Sequence, residues 1–469
     1  MSHLFDFIHF GSSLAVITDK GELFSYQDLE RDCSQLSSYL QKGNLAVCLC
    51  ENQIGSIVGY CSFIRTGVPV IMLDGSKDKE SIVRIISFYR PKYFWLPTSR
   101  LEEFGRDGIT FSIYTYSLVE YSPLPYTIHP DVLLLLTTSG STGSPKLVKL
   151  TKKNIRSNAA SIVEYLKITK EERPVTSLPM HYSFGLSVIN SHLMVGATLL
   201  LTDKGVVQRE FWDFARNERA SSLSGVPYTF EMLKRLRFFR MKLPDMKTLC
   251  QAGGKLNALI VKEFINESEL TDRKFFVMYG QTEATARMSY LPWNVAAEKY
   301  SSIGVAIPGG KFSIIDTDGK EITAPDVDGE LVYEGPNVSL GYAECIADLA
   351  KGDENHGILH TGDIARKDKD GYYYITGRMK RFVKLFGNRC NLDGVEQMVK
   401  EVTTNCACTG VDDKLTVFVT EDGLEEKIVD LLIKRTGINK GGFAVKRIDE
   451  IPKNASGKIQ YTKLNSYLN

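Results

Sequence analysis

One stretch of this chain gathers serine, threonine and glycine and closes with a lysine. Leu133 to Leu147 reads LLLLTTSGSTGSPKL, an apolar strand running into a small, hydroxyl-rich loop. Glycines let backbone N–H groups approach phosphate oxygens, hydroxyls add donors, and a lysine adds positive charge. Thr138, Ser139, Gly140, Ser141, Thr142, Gly143 and Lys146 are therefore candidate phosphate-binding residues. A flexible Ser/Gly turn is the plain alternative. The buried strand before the loop and Pro145-Lys146 after it argue against that. A Walker-type loop fails on spacing, since Gly-x-x-x-x-Gly-Lys needs a glycine where Pro145 stands, and Leu147 replaces the Ser/Thr that would hold magnesium.

A second segment, Phe276 to Thr285, is a strand ending in Tyr279-Gly280-Gln281-Thr282-Glu283. A tyrosine at the end of a strand can stack on a base, and the following glycine permits close approach. Glu283 supplies a hard oxygen ligand suited to Mg²⁺. In a third segment, His360 to Arg389, Asp363 is expected in a turn, where a carboxylate accepts hydrogen bonds from ribose hydroxyls. Arg378 follows after a hairpin. The fourth, Pro452 to Lys458, is a small loop presenting Lys458. Taken singly, Asp363 and Lys458 read as surface turn residues.

The elements that must position these groups alternate. Leu45 to Cys50, Val68 to Leu73 and Tyr93 to Leu96 read as strands, with helices near Ile54 to Arg65 and Asp78 to Tyr89 between them. The rhythm recurs from Ala197 to Met278. It predicts an α/β fold of parallel, doubly wound sheets. From about Lys311 short strands are set off by Asp318-Gly319 and Asp370-Gly371, which favour hairpins. A last stretch of about 90 residues has strands and a helix enough for a small α+β lid domain. The expected organisation is an N-terminal domain over 1–377 with a β-rich part near 305–377, a hinge at 378–381 and a lid at 382–469.

Length and composition agree. The chain has 469 residues, about three times the usual single-domain size, so two or more packed units are expected. Apolar residues make up 43% and charged residues 24%, which excludes a mostly disordered or collagen-like chain. Net charge is +1, so no global field draws the protein to nucleic acid or anionic lipid. The apolar run Val132 to Leu136 is far below the roughly 20 residues of a membrane helix, and no secretory signal is visible, so a cytoplasmic protein is expected. Nine cysteines leave at least one unpaired. Cys48/Cys50 and Cys406/Cys408 are Cys-x-Cys pairs among apolar or small neighbours and read as buried thiols rather than a zinc site.

In their order and register, the four segments resemble the adenylate-forming superfamily: acyl- and aryl-CoA synthetases, adenylation domains of peptide synthetases, and firefly-type luciferases. The resemblance spans roughly residues 10 to 465. It implies ATP and Mg²⁺ as cofactors and two half-reactions. A carboxylate attacks the α-phosphate of ATP to give an acyl adenylate and pyrophosphate. The thiol of CoA or of a phosphopantetheinyl carrier protein then displaces AMP. The resemblance places Thr138 to Lys146 at the phosphates, Gly253 and Gly254 beside the adenine, and Tyr279 to Glu283 at nucleotide and metal. Asp363 falls at the ribose, Arg378, the arginine before the hinge, is a further ATP-binding residue, Lys458 is the catalytic lysine, and Thr282 and Glu283 act with it. Lys380 is the hinge, and Lys384 and Gly387 line the thiol channel. Arg381 stands where the family has an acidic residue, and Gly394-Val395-Glu396 where Glu-Ile-Glu is frequent.

The acid pocket resembles Pro179 to Ser187, with His181, Phe184 and Gly185 as walls, joined by Gly253. Amino-acid-activating relatives usually carry an aspartate early in this segment. None is present here, and a buried ammonium without a counter-ion is costly, so a non-amino carboxylic acid bearing an uncharged group is expected. His181 is either a gate near the reacting carboxylate or a structural histidine. Two further readings are a catalytically silent nucleotide-binding homologue acting as sensor or scaffold, and a luciferase-like oxygenase. Lys458, Glu283, Asp363 and Arg378 together argue against the first, and no residue asks for the second.

Overall fold

Short runs of Val, Leu, Ile and Cys that are buried on both faces can only be central strands of covered parallel sheets. Ala46–Cys50, Val70–Asp74 and Leu134–Thr137 are such runs, and they pair in parallel, with Tyr93–Pro97 on the far side of Ala46–Cys50. The computed structural model describes residues 5–105, 108–122, 125–137, 146–379, 381–386, 388–453 and 459–468. Thr138, Ser139, Gly140, Ser141, Thr142, Gly143, Lys380, Gly387 and Lys458 lie outside the described residues.

The chain forms two compact units, Met1–Lys311 with Tyr333–Leu359, and Phe312–Val332 with His360–Asn469. In the first, the parallel strands above are flanked by antiparallel ones: Tyr116–Glu120 and Ile109–Ile113 at one edge, Leu147–Leu150 and Gly341–Ala343 at the other. A second sheet runs, in spatial order, Lys274–Tyr279, Thr248–Gln251, Ser222–Gly225, Pro174–Val175, Leu199–Leu201 and Leu14–Thr18, all parallel, and it too ends in antiparallel strands. The predicted parallel winding is therefore present twice, in two separate sheets.

Helices Ile54–Thr66 and Ser183–Met194 are apolar almost all round and buried along nearly their whole length, as expected of helices without a solvent face. Their side chains share one core with residues of both sheets, such as Val16, Cys48, Ile57, Ile189 and Leu199. All nine cysteines are free thiols, and Cys345 alone is not fully buried, in line with the reading of the Cys-x-Cys pairs.

The second unit holds the order Lys311–Ile315, Gly329–Glu334, Ile358–Lys367, Tyr373–Arg378, a hairpin of Phe382–Leu385 and Asn388–Asn391, and a three-stranded sheet. In that last sheet Lys414–Val419 pairs antiparallel with Cys406–Val411 and parallel with Phe443–Arg447, under helices Leu392–Val399 and Glu425–Thr436. No described helix is long and apolar enough to cross a membrane.

Candidate functional site

In parallel sheets the loops that carry chemistry leave the carboxyl ends of the strands. Two predicted segments do so from neighbouring strands. Gly253 and Gly254 follow Thr248–Gln251, and Gly280 to Glu283 follow Lys274–Tyr279. Gln281 donates from Nε2 to the Tyr279 hydroxyl at 3.2 Å, and Thr282 opens a short 3₁₀ turn.

Gly280 has no substitute. A Cβ there would lie 1.6 Å from the carbonyl oxygen of Ala286 and 2.6 Å from its carbon. Backbone, not a yielding side chain, fills the space. Gly280→Ala is expected to cost about 3 kcal/mol or more of stability and to remove activity together with it. Thermal unfolding within a degree or two of wild type would contradict this close approach.

The loop after Glu283 is strained. Thr285 and Ala286 both have positive φ, 57° and 98°, a conformation costing about 1–3 kcal/mol for each non-glycine residue. Buried Asn337 holds it: its Nδ2 donates to the carbonyls of Ala284 (2.8 Å) and Arg287 (3.1 Å), and its own carbonyl accepts from Thr285 Oγ1 (2.7 Å). No sequence pattern flags Asn337, which lies more than 50 residues downstream.

Three further side chains assemble around Glu283. The Tyr342 hydroxyl donates to Glu283 Oε1 at 2.7 Å. Burial pushes that hydroxyl above the ordinary tyrosine range, with the Glu283 carboxylate adding to the effect, so it remains a donor. Lys146 Nζ sits 3.6 Å from the centre of the Tyr342 ring and 2.8 Å from Glu344 Oε1. Lys146, Tyr342 and Glu283 thus form one chain of contacts. Tyr342 comes from a three-residue strand, too short for any alternation to be read from sequence. Among the described residues, Glu283 Oε2 accepts no hydrogen bond, which suits a carboxylate that offers an oxygen to a divalent cation.

The predicted pocket segment meets the same loop. Ser183 Oγ lies 3.2 Å from Thr282 Oγ1, joining the start of helix Ser183–Met194 to the Tyr279 to Glu283 segment. Phe184 and Gly185 are buried. Gly185 is required by packing, since a Cβ would stand 2.3 Å from the Pro179 carbonyl oxygen. Gly253 is half-buried and Gly254 exposed. His181 Nε2 is 3.9 Å from Asp74 Oδ2, and His181 Nδ1 is buried with no partner among the described residues. Burial lowers the His181 pKa, Asp74 opposing, so the ring is neutral at pH 7. Asp74 brings a carboxylate to the segment from a strand remote in sequence.

In the second unit, Asp363 corrects one expectation. It lies not in a turn but in the ten-residue strand Ile358–Lys367, directly across from Arg378, and is 3% exposed. Its Oδ1 is 3.0 Å from Arg378 Nε. The ladder across the Asp370-Gly371 turn runs from Lys367 to Asp363, so the carboxylate is held on the ladder directly after the turn-like Thr361-Gly362 pair. Lys384 is exposed on the Phe382–Leu385 strand. Arg381 pairs at 2.6 Å with both Asp393 and Glu396 and lies 3.4 Å from the centre of the Tyr461 ring.

A profile of the AMP-binding enzyme family matches residues 9–343. The oxalate–CoA ligase of Arabidopsis thaliana is 28% identical over 383 residues, covering 77% of this chain and 73% of its own length. A feruloyl-CoA synthase of Amycolatopsis sp is 28% identical over 348 residues, covering 70% and 68%. Among solved structures, ATP-bound MatB from Rhodopseudomonas palustris superposes with a TM-score of 0.80 over 100% of this chain and 99% of its own at 21% identity, a likeness of fold.

Proposed function

The chain belongs to the AMP-binding enzyme family, and from that premise we propose that it is an acid–thiol ligase acting on a non-amino carboxylic acid in the cytoplasm. A carboxylate oxygen attacks the α-phosphorus of ATP, and the bond from that phosphorus to pyrophosphate breaks. The sulfur of CoA then attacks the acyl carbon, the carbon–oxygen bond to AMP breaks, and the thiol proton passes to solvent. An anion attacking an anionic phosphate needs charge neutralisation and no general base.

The observation that carries this reading is the junction at Thr282. It joins the pocket segment through Ser183 to the loop holding Glu283, and Lys146 approaches Glu283 through Tyr342. Glu283 would hold Mg²⁺, which neutralises phosphate charge when bound. The loop 138–146 takes the phosphates, Gly253, Gly254 and Tyr279 to Gln281 the adenine, Asp363 the ribose, Arg378 another part of the ATP, and Lys458 the α-phosphate. We assign residues 1–377 to the nucleotide-binding domain, 378–381 to the hinge and 382–469 to the lid, with Lys384 and Gly387 along the thiol channel. ATP–pyrophosphate exchange over aryl, short-chain and long-chain acids tests the reading, followed by transfer to CoA and to a phosphopantetheinyl carrier protein. Exchange with at least one acid is expected, and none across the panel would overturn it.

An α-amino analogue of any accepted acid is expected to exchange at least tenfold more slowly. No carboxylate occurs within residues 179–187, and Asp74, the group that would have to hold an ammonium, faces His181. An amino acid that outperforms every simple acid would contradict this.

A further inference from the structure

Arg287 is 2% exposed, and no carboxylate of the described residues lies within ion-pair distance of it. Its Nε donates to Ser187 Oγ at 3.1 Å, and its Nη1 donates to the Tyr165 hydroxyl at 3.0 Å and to the Met278 sulfur at 3.3 Å. A thioether is a weak acceptor, and a hydroxyl carries no countercharge. Among the described residues, Nη2 has no acceptor.

The titratable neighbours do not neutralise it. Burial pushes Tyr165 up to about 12 and Cys250 up to about 11, and it pulls His192 down to about 4. All three are neutral at pH 7. A buried guanidinium without an anion is among the costlier features a fold can keep, and stacking against Phe184, 5.1 Å from its ring centre, offsets only part of the cost.

Its place is informative. Ser183 and Ser187 are four residues apart and share one face of helix Ser183–Met194. Ser183 touches Thr282, which the ligase reading sets beside Glu283 at the reacting end of the site, and Ser187 touches Arg287. The two contacts are about one helical turn apart, ~6 Å along the axis. The strained pair Thr285-Ala286, fastened by Asn337, leads the backbone into Arg287.

We infer that Arg287 is the anchor for a second anionic group on the acid substrate, so that the enzyme activates dicarboxylic acids whose two carboxylates are separated by a short spacer. This rests on the ligase reading above and replaces the uncharged substituent expected from the pocket segment alone. The carboxylate that does not react would receive charge-assisted hydrogen bonds from the guanidinium, as Phe184 covers it.

The test compares straight-chain diacids, from malonate to suberate, and benzenedicarboxylates with their monoamides and with monoacids of equal length, in acid-dependent ATP–pyrophosphate exchange. At least one diacid is expected to exceed both neutral partners by about 10- to 100-fold in kcat/KM. Arg287→Met should erase that preference, leaving monoacids within a few-fold of wild type, and Arg287→Lys should restore part of it. Neutral partners equal to or better than diacids in every wild-type comparison would overturn the inference while leaving the ligase reading intact. Equal loss on diacids and monoacids in a folded Arg287→Met protein would mark the residue as structural and overturn it too. Should the variant not fold, the wild-type comparison decides. No exchange with any acid would overturn the ligase reading and this inference with it.

Discussion

Glu283→Ala is expected to lower acid-dependent ATP–pyrophosphate exchange at least 100-fold while AMP still binds within a few-fold of wild type. The carboxylate has Oε1 fixed by Tyr342, and its Oε2 accepts no hydrogen bond among the described residues, so its removal takes away an anchored hard oxygen. Loss of one metal anchor at a developing charge is worth several kcal/mol. AMP lacks the β- and γ-phosphates whose charge the metal neutralises, which is why its binding should be spared. Exchange within a few-fold of wild type at saturating Mg²⁺ would remove Glu283 from the metal role.

The second large effect concerns Lys458. If Lys458 serves the α-phosphate during adenylation as proposed, Lys458→Ala should slow that half-reaction by about 100- to 1000-fold, the usual cost of losing one preorganised donor. Thioester formation from synthetic acyl adenylate should be nearly unchanged. Lys380→Pro should do the reverse, because proline fixes φ at the proposed hinge and restricts the rotation needed for the thiol step. Equal damage to both half-reactions in both variants would argue against any alternation about that hinge.

The parts of the site legible in the sequence are those written contiguously. Tyr279 to Glu283 declared itself because a strand, a glycine and a carboxylate stand side by side, and its strand and turn are where the pattern put them. The parallel strands were equally readable, since burial on both faces leaves an uninterrupted apolar run. Helix Ser183–Met194 was not, because a segment buried all round has no 3.6-residue pattern to betray it. Tyr342, Glu344 and Asn337 reach Lys146, Glu283 and the 284–287 loop from a distant stretch of chain, which only the folded sheet edge brings near. Asp363 reads as a turn residue beside Thr361-Gly362, yet it pairs directly with Arg378 at the end of the ladder with Tyr373–Arg378. Arg287 was visible four residues past Glu283, but its burial depends on Tyr165, Ser187 and Met278, drawn from three separate elements.

The central claim is that a carboxylate oxygen becomes bonded to the α-phosphorus of ATP. Wild-type enzyme supplied with ATP, Mg²⁺, CoA and an accepted acid labelled with ¹⁸O in its carboxylate tests it most directly. The AMP released should carry one ¹⁸O atom per turnover, with none in the pyrophosphate. Product AMP free of label, or label recovered in inorganic phosphate beside ADP, would contradict an acyl adenylate.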